Sequence, residues 1–180
     1  MTGQINVNKI AARTGNTINV ESGQILSQPG AVIQFASHRW NDQTSTTSAS
    51  YVDVTGSSFN FTPKLATSKL YIQASCSMTL TRSDASHYSA FKIVHDGTDI
   101  EAPGDRFEVG MSATGTTALN IYQRVHKTGY VNATNTNARA IKLQVALNAT
   151  TNSAQTRFNV NNYFYSYIDV WRSHNEYDIC

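Results

Sequence analysis

The stretch that decides the fold lies at residues 69–81 and reads KLYIQASCSMTLT. Apolar side chains occupy every second position from Leu70 to Leu80, and polar or aromatic side chains fill the positions between them. A β-strand turns successive side chains to opposite faces, whereas a helix brings residues three or four apart onto one face. The alternation therefore predicts a half-buried strand whose apolar face packs against a hydrophobic core.

The same period of two recurs along most of the chain after residue 31. Residues 140–147 repeat the alternation, and residues 119–125 form another such stretch. Shorter stretches predict six further strands, at 32–38, 51–54, 58–61, 90–95, 157–160 and 163–171. The segment HDGT at 95–98 predicts a hairpin turn, and no stretch has the period of a helix. About nine strands in about 150 residues predict an all-β fold, a jelly-roll-like antiparallel β-sandwich.

The composition supports this fold class. Ser, Thr and Asn account for 55 of the 180 residues, and only 14% of residues are charged, against about 25% in average proteins. Coiled coils and helical bundles are excluded because they are rich in Glu, Lys, Ala and Leu, and 10% aromatic residues exclude a disordered chain. The net charge is +2 without a run of basic residues, so we expect no nucleic acid partner. We also expect no membrane insertion, and folding in a cytoplasm, because long apolar runs and a secretory signal are both missing.

The first 30 residues differ from the rest. Glycines divide them into short pieces, each with a brief β-type run that is too small to bury a core. We therefore expect residues 1–30 to form an extended arm that becomes ordered against another surface, and residues 31–180 to form a β-sandwich head domain. The apolar arm residues that we expect to make the attachment are Ile5, Val7, Ile10, Ile18 and Val20.

The last predicted strand places large aromatic rings on one face. The residues on that face include Tyr163, Tyr165, Tyr167 and Trp171, and those on the other are Phe164, Ser166, Ile168 and Val170. If the second set faces the core, the first set forms an outward aromatic patch that is unusual for a soluble monomer. Tyr and Trp are enriched at contact surfaces, so we predict a subunit interface at the four aromatic residues. Two alternatives stay open: a platform for stacking sugar rings, and burial of both faces within a thick sandwich.

No known catalytic motif occurs in the sequence. The sequence contains no nucleophile elbow, no phosphate-binding loop, no zinc-protease motif and no paired-cysteine motif. Cys76 lies on the apolar face of the strand at 69–81, which predicts a buried structural thiol. His174 and Cys180 match no usual metal-ligand spacing.

Acidic residues gather in one turn-rich region. They are Asp96, Asp99, Glu101, Asp105 and Glu108. These residues are typical of turns, where carboxylates accept backbone hydrogen bonds. The alternatives are a catalytic acid pair and a site for a divalent cation. We favour the turn reading, and we expect no enzyme activity, no metal and no cofactor.

Short uncharged side chains dominate the predicted loops. The candidates for receptor contact are Asn132, Thr134, Asn135 and Asn137. Side chains of this kind form adaptable hydrogen bonds to sugars or proteins, although the same composition also provides solubility.

Short motifs run through the first hundred residues. The arm contains INVNKI at 5–10, RTGNTI at 13–18 and VESG at 20–23. The body contains PGAVIQ at 29–34, SYVDV at 50–54, FNFTP at 59–63, SKLYI at 68–72 and FKIVHDG at 91–97. Together with the closing strand at 167–171, these motifs resemble those of phage tail-fibre-like and virion appendage β-sandwich proteins of the marine and cyanobacterial phage type.

The resemblance implies a virion structural protein that is assembled in the host cytoplasm. Such proteins are usually homotrimeric, attach to other virion proteins through the N-terminal segment, and bind a host surface glycan or protein. An arm of 30 residues is too short for a long shaft, which favours a short tail fibre or another tail-appendage component. The alternatives are a capsid decoration or head-fibre protein with the same fold and, less favoured, a glycan-degrading enzyme.

Overall fold

The computed structural model describes seven segments of the chain, which contain twelve β-strands and no α-helix. The segments are residues 32–66, 68–82, 87–100, 109–111, 119–148, 155–158 and 166–173. The strands are β1 (Val32–Trp40), β2 (Thr44–Thr46), β3 (Val52–Asp53), β4 (Phe59–Phe61), β5 (Lys69–Arg82), β6 (His87–His95), β7 (Thr98–Asp99), β8 (Val109–Met111), β9 (Leu119–Asn132), β10 (Arg139–Asn148), β11 (Gln155–Phe158) and β12 (Ser166–Ser173). The predicted arm lies outside the described residues.

The strands form two six-stranded antiparallel sheets. In sheet A, β12 lies between β1 and β5, and β9 pairs with β5 along its whole length. The far end of β5 pairs with β11, which carries β2 on its other side. In sheet B, β10 pairs with β6 on one side and with β3 and β4 on the other, and β7 and β8 pair with β6.

The long-range strand pairs are nested inside one another. The innermost pair joins Val94 to Asp99, and successive outer pairs join Lys69 to Asn132, Asp53 to Gln144 and Val32 to Ser173. The chain thus doubles back at residues 96–97, and these four pairs fall alternately in sheet B and sheet A, while the pair of β2 with β11 is nested between the two outermost and belongs to sheet A. This pattern brings the first and last described strands together as neighbours.

A single hydrophobic core lies between the two sheets. From sheet A it receives the inward side chains of β5, which are 0–2% exposed, together with residues of β9, β11 and β12. From sheet B it receives the inward side chains of β6 and β10, including Phe91, Ile93 and Leu143. Each fully buried Leu, Ile or Phe contributes about 1.5–3 kcal/mol relative to exposure. The arrangement is sandwich-like, because each sheet contributes one face to this core.

The structure confirms the all-β prediction and the central alternation. Leu70 and the other alternate residues of β5 are buried, and the predicted hairpin turn joins His95 to Thr98 with Asp96 and Gly97 at φ 48° and 79°. The prediction of nine strands was too low, because it omitted β2, β7 and β8. The stretch at 41–50, NDQTSTTSAS, has the polar composition of a loop, yet β2 lies within it.

Threonine hydroxyls explain the missed strand. Thr44 and Thr46 are both 8% exposed, and each hydroxyl accepts a backbone hydrogen bond. The Thr44 Oγ1 accepts from the Thr55 N–H at 2.7 Å, and the Thr46 Oγ1 accepts from the Ser48 N–H at 3.0 Å. A buried hydroxyl with a partner costs little, so the strand needs no apolar side chain at these positions.

Two described glycines adopt a left-handed backbone but differ in their surroundings. Gly56 has φ 75° in the turn where the Ser57 N–H donates to the Val54 carbonyl, and a Cβ there would overlap the carboxylate of Asp42. Gly97 has φ 79°, and a Cβ there would meet no atom within 4 Å. An alanine at Gly97 would therefore suffer backbone strain alone, whereas an alanine at Gly56 would suffer both backbone strain and steric overlap.

We expect Gly97→Ala to lower the free energy of unfolding by about 1–2 kcal/mol, which is the usual cost of a left-handed L-residue. Gly56→Ala should lower it by at least about 1 kcal/mol more, because its new methyl group also displaces the Asp42 carboxylate. Urea unfolding of both variants and the unchanged protein measures the difference. Equal losses would show that the turn at Gly56 absorbs the methyl group without steric cost.

Candidate functional site

Four aromatic residues form a row across the outer face of sheet A. Phe35, Trp171, Tyr71 and Tyr130 occupy directly opposed positions on β1, β12, β5 and β9, and opposed residues of antiparallel strands share a face. Phe35 is 61% exposed and Tyr130 is 59% exposed. The Tyr71 ring centroid lies 6.4 Å from that of Trp171 and 6.5 Å from that of Tyr130. We call these four residues the aromatic row.

A lysine reinforces one end of the aromatic row. The Lys69 Nζ lies 3.8 Å from the centroid of the Tyr130 ring and 5.7 Å from that of Tyr71. A cation over an aromatic ring contributes about 0.5–1 kcal/mol at exposed sites. The contact helps to hold the exposed Tyr130 side chain in place.

Further aromatic and arginine side chains cover the rest of this face. Tyr167 lies two rows away from the aromatic row, between Arg39 and Ser75, and Tyr122 is 64% exposed near the far end of β5. The Arg124 Nε donates to the Ser75 Oγ at 2.8 Å, and its guanidinium carbon lies 5.7 Å from the Tyr167 ring centroid. Among the described residues the outer face of sheet A therefore carries six aromatic rings.

The structure places two of the four predicted interface residues on this face. Tyr167 and Trp171 are partly exposed there, while Ile168 and Val170 on the opposite side of β12 are fully buried. Tyr163 and Tyr165 lie outside the described residues.

The sequence prediction missed the other members of the aromatic row. Tyr71 stands on the polar face of the alternating stretch, so a signal for it was present. Phe35 and Tyr130 join it only through strand pairing between distant segments, and a single sequence does not display that pairing.

The candidate receptor residues lie together at one end of the molecule. Asn132 ends β9, and Thr134, Asn135 and Asn137 follow in the loop to β10, all of them exposed. Asn132 is opposed to Lys69, Lys69 to Ser173, and Ser173 to Val32. The loop therefore lies at the end of sheet A where β1 begins.

Arg139 holds this loop in one conformation. Its Nη2 donates to the Thr134 Oγ1 at 3.1 Å and to the Asn135 Oδ1 at 3.0 Å, and its Nη1 donates to the Asp96 Oδ2 at 2.9 Å. The Asn135 Oδ1 also accepts from the Asn137 N–H at 2.9 Å. The Thr134 and Asn135 side chains thus order the loop.

The two described members of the acidic cluster contact cations. Burial alone would raise the pKa of Asp96, but hydrogen bonds from Arg139 and the Ala140 N–H outweigh it and lower the net pKa. Asp99 lies 3.4 Å from the Lys92 Nζ. Asp96 is therefore a carboxylate that accepts hydrogen bonds, a poor choice for a proton donor at neutral pH. Glu101, Asp105 and Glu108 lie outside the described residues.

Cys76 is fully buried, as predicted, and burial raises the pKa of its thiol well above the usual value. A thiol in that state is a poor nucleophile. Within the described segments no three His, Cys, Asp or Glu residues are grouped so that they could hold a metal ion. His174 and Cys180 fall outside those segments. No helix in the described part of the chain is long and apolar enough to cross a membrane.

No protein-family model matches the chain, and no curated protein is significantly similar to it.

His95 is a buried titratable group beside the Arg139 loop. It ends β6, opposes the fully buried Ile141 on β10, and is 5% exposed. Burial lowers the pKa of His95 below its usual 6.5 because the charged imidazolium is less well solvated there, and this outweighs the attraction of Asp96. The folded chain therefore keeps this side chain neutral at pH values where the unfolded chain protonates it.

We expect the free energy of unfolding to fall as the pH is lowered from about 7 to about 5, since protons bind the unfolded chain more tightly. His95→Leu removes this linkage and should flatten the dependence by up to about 1.4 kcal/mol per pH unit. Urea unfolding of both proteins across this range measures the difference. Asp53 and Asp96 each have a pKa lowered from 3.8, so these carboxylates take up protons only at a pH below the range that is measured. Parallel profiles for the two proteins would contradict the expectation.

Proposed function

We propose that this chain is a non-enzymatic structural protein of a phage virion, a component of a short tail fibre or another tail appendage. It associates with copies of itself through the outer face of sheet A, attaches to the particle through residues 1–30, and binds the host surface. The observation that carries the proposal is the aromatic row, because four rings across four strands form a contact surface that a soluble monomer does not need.

The composition of this face supports self-association. Aromatic residues and arginine are the types enriched at protein interfaces, whereas lysine and carboxylates are depleted there. The face carries Arg39, Arg124 and Arg157 but one lysine and, among the described residues, one carboxylate, Asp169. The Tyr and Trp side chains of this face provide large contact areas at a low cost in conformational entropy, because they have few rotatable bonds.

Sheet B provides an internal comparison. Its outer face has one exposed ring, Tyr88, within the described segments, and its cations are paired with aspartates. On that face Lys142 pairs with Asp53 at 2.7 Å and Lys92 pairs with Asp99 at 3.4 Å. Partly exposed pairs of this kind suit a surface in contact with water. The contrast favours sheet A as the face that meets other copies.

We further propose that the sandwich is a jelly roll. Two Greek keys rolled together pair strands 1 with 8, 2 with 7, 3 with 6 and 4 with 5. If β3 and β4 count as one interrupted strand, and β7 and β8 as another, four nested pairs follow that scheme, with β1 joined to β12, β3/β4 to β10, β5 to β9 and β6 to β7/β8. The pair of β2 with β11 is an addition at the edge of sheet A. Jelly rolls occur in viral capsid and lectin domains, which is an analogy of fold and adds to the likeness of the sequence motifs.

We propose three copies per assembly, in keeping with the proteins that the sequence resembles. The described chain begins at Val32, three residues before Phe35, so β1 begins next to the aromatic row. Three arms at one end of an assembly would bind the particle together, and their effective concentration strengthens a weak single contact.

We expect the purified chain to have a mass near three times 19.8 kDa in sedimentation equilibrium. Phe35→Ser with Tyr130→Ser should lower the association constant at least about tenfold, because both rings lose a desolvated contact. Both side chains are more than half exposed, so the single subunit keeps its core. Tyr88→Ser is the matched control and should leave the mass unchanged. A monomer for the unchanged chain, or equal effects of both changes, would contradict the proposed interface.

Virus particles assembled with variants of this chain allow attachment to the particle and binding to the host to be measured separately. Deleting residues 1–30 should abolish incorporation into the virion, because the apolar residues of the arm make that contact. Asn137→Ala should leave incorporation unchanged and lower adsorption to host cells severalfold, since its side-chain amide is not among those that bind Arg139. Lys142→Gln on sheet B is the control.

Because the loop lies at the end of sheet A where β1 begins, the opposite outcome is informative. Loss of incorporation with Asn137→Ala would place this loop against the particle and would contradict its role in host binding. Retained incorporation without the arm would contradict the attachment proposal. If polysaccharide hydrolysis were detected with the purified chain, the non-enzymatic proposal would fail.

A further inference from the structure

The middle of the outer face of sheet A is rich in hydrogen-bond donors. Arg39, Tyr167 and His126, with the fully buried Ser75 between the last two, form one row across β1, β12, β5 and β9, and opposed strands lie about 4.8 Å apart. The Arg124 guanidinium reaches the same row, where its Nε donates to Ser75. We call these five residues the donor row.

Tyr167 is oriented to donate. The Gln73 Nε2 donates to the Tyr167 Oη at 3.4 Å, which leaves the phenolic hydrogen for another acceptor. The guanidinium of Arg39 carries five donors and no acceptor. No described carboxylate occupies the donor row, since Asp169 lies one position further along β12, opposite Ser37 and Gln73.

The charges of the whole face are unbalanced. In the described part of the chain Lys69, Arg39 and Arg157 form no ion pair, whereas each cation on the outer face of sheet B has an aspartate. A symmetric assembly through this face adds the same excess from every copy. Removing a guanidinium from water without a counter-charge costs several kcal/mol. Copies that meet here therefore need negative charge from another source.

We propose that the donor row binds a multivalent oxyanion, such as phosphate or sulfate, and that this anion supplies the negative charge for self-association. A planar guanidinium on one side and a phenolic hydroxyl beside it match the oxygen atoms of a tetrahedral anion. The role of the anion in self-association rests on the proposed function, whereas the binding of the anion by the donor row does not.

Two measurements test the inference on the full chain. Sedimentation velocity in sodium phosphate and in sodium sulfate is compared with sodium chloride at equal ionic strength, and phosphate binding is followed by the ³¹P linewidth. We expect the association constant to rise at least about tenfold with phosphate or sulfate. The same association measurement with dextran sulfate and with neutral dextran shows whether the donor row binds a sulfate group carried on a polysaccharide or only the free ion.

The variants make the result specific. Arg39→Gln should abolish both the anion response and the ³¹P broadening, whereas Lys64→Gln, which removes an exposed cation in the loop after β4, should leave both unchanged. Equal association in all salts would overturn the link to assembly and would indicate that carboxylates outside the described residues balance the face. Absence of ³¹P broadening would overturn the site itself. A chain that binds phosphate but stays monomeric in every salt would contradict the proposed interface and leave the anion site standing.

Discussion

The two-sided character of β5 is the constraint on which the rest of the structure depends. Its inward residues from Leu70 to Leu80 are almost completely buried, and its outward residues lie in the middle of sheet A. A shift of one residue in its pairing would exchange these two sets and place Tyr71 and Gln73 in the core. The same register that protects the core therefore also assembles the aromatic row and the donor row from four separate strands.

Much of the fold could be predicted because burial leaves a periodic trace within one segment. The alternation in β5 and β10, and the short hairpin at Asp96 and Gly97, are local signals that a sequence displays directly. The small strands were missed for a local reason too. In β2 the buried positions are threonines whose hydroxyls bond to the backbone, so the stretch looks like a polar loop.

The candidate surfaces were harder to predict because they depend on pairing between distant segments. Tyr167 and Trp171 could be assigned to an outward face from their own strand. Their neighbours Phe35 and Tyr130 lie 136 and 41 residues from Trp171 in the chain, and only the register of β1, β12, β5 and β9 brings them together. The ordering of the loop between β9 and β10 by Arg139 could not be predicted either, since one side chain reaches both this loop and a hairpin turn.

The nested pairing also has a consequence for synthesis on the ribosome. β1 emerges early, but its partner β12 is completed only at Ser173. At about 5–20 residues per second, β1 remains without that partner for roughly 7–27 seconds. During this time Phe35 and the nascent edge of β1 are available to other nascent chains. On neighbouring ribosomes of one messenger RNA, the self-association proposed above would thus have this surface available before any chain has closed its own sandwich.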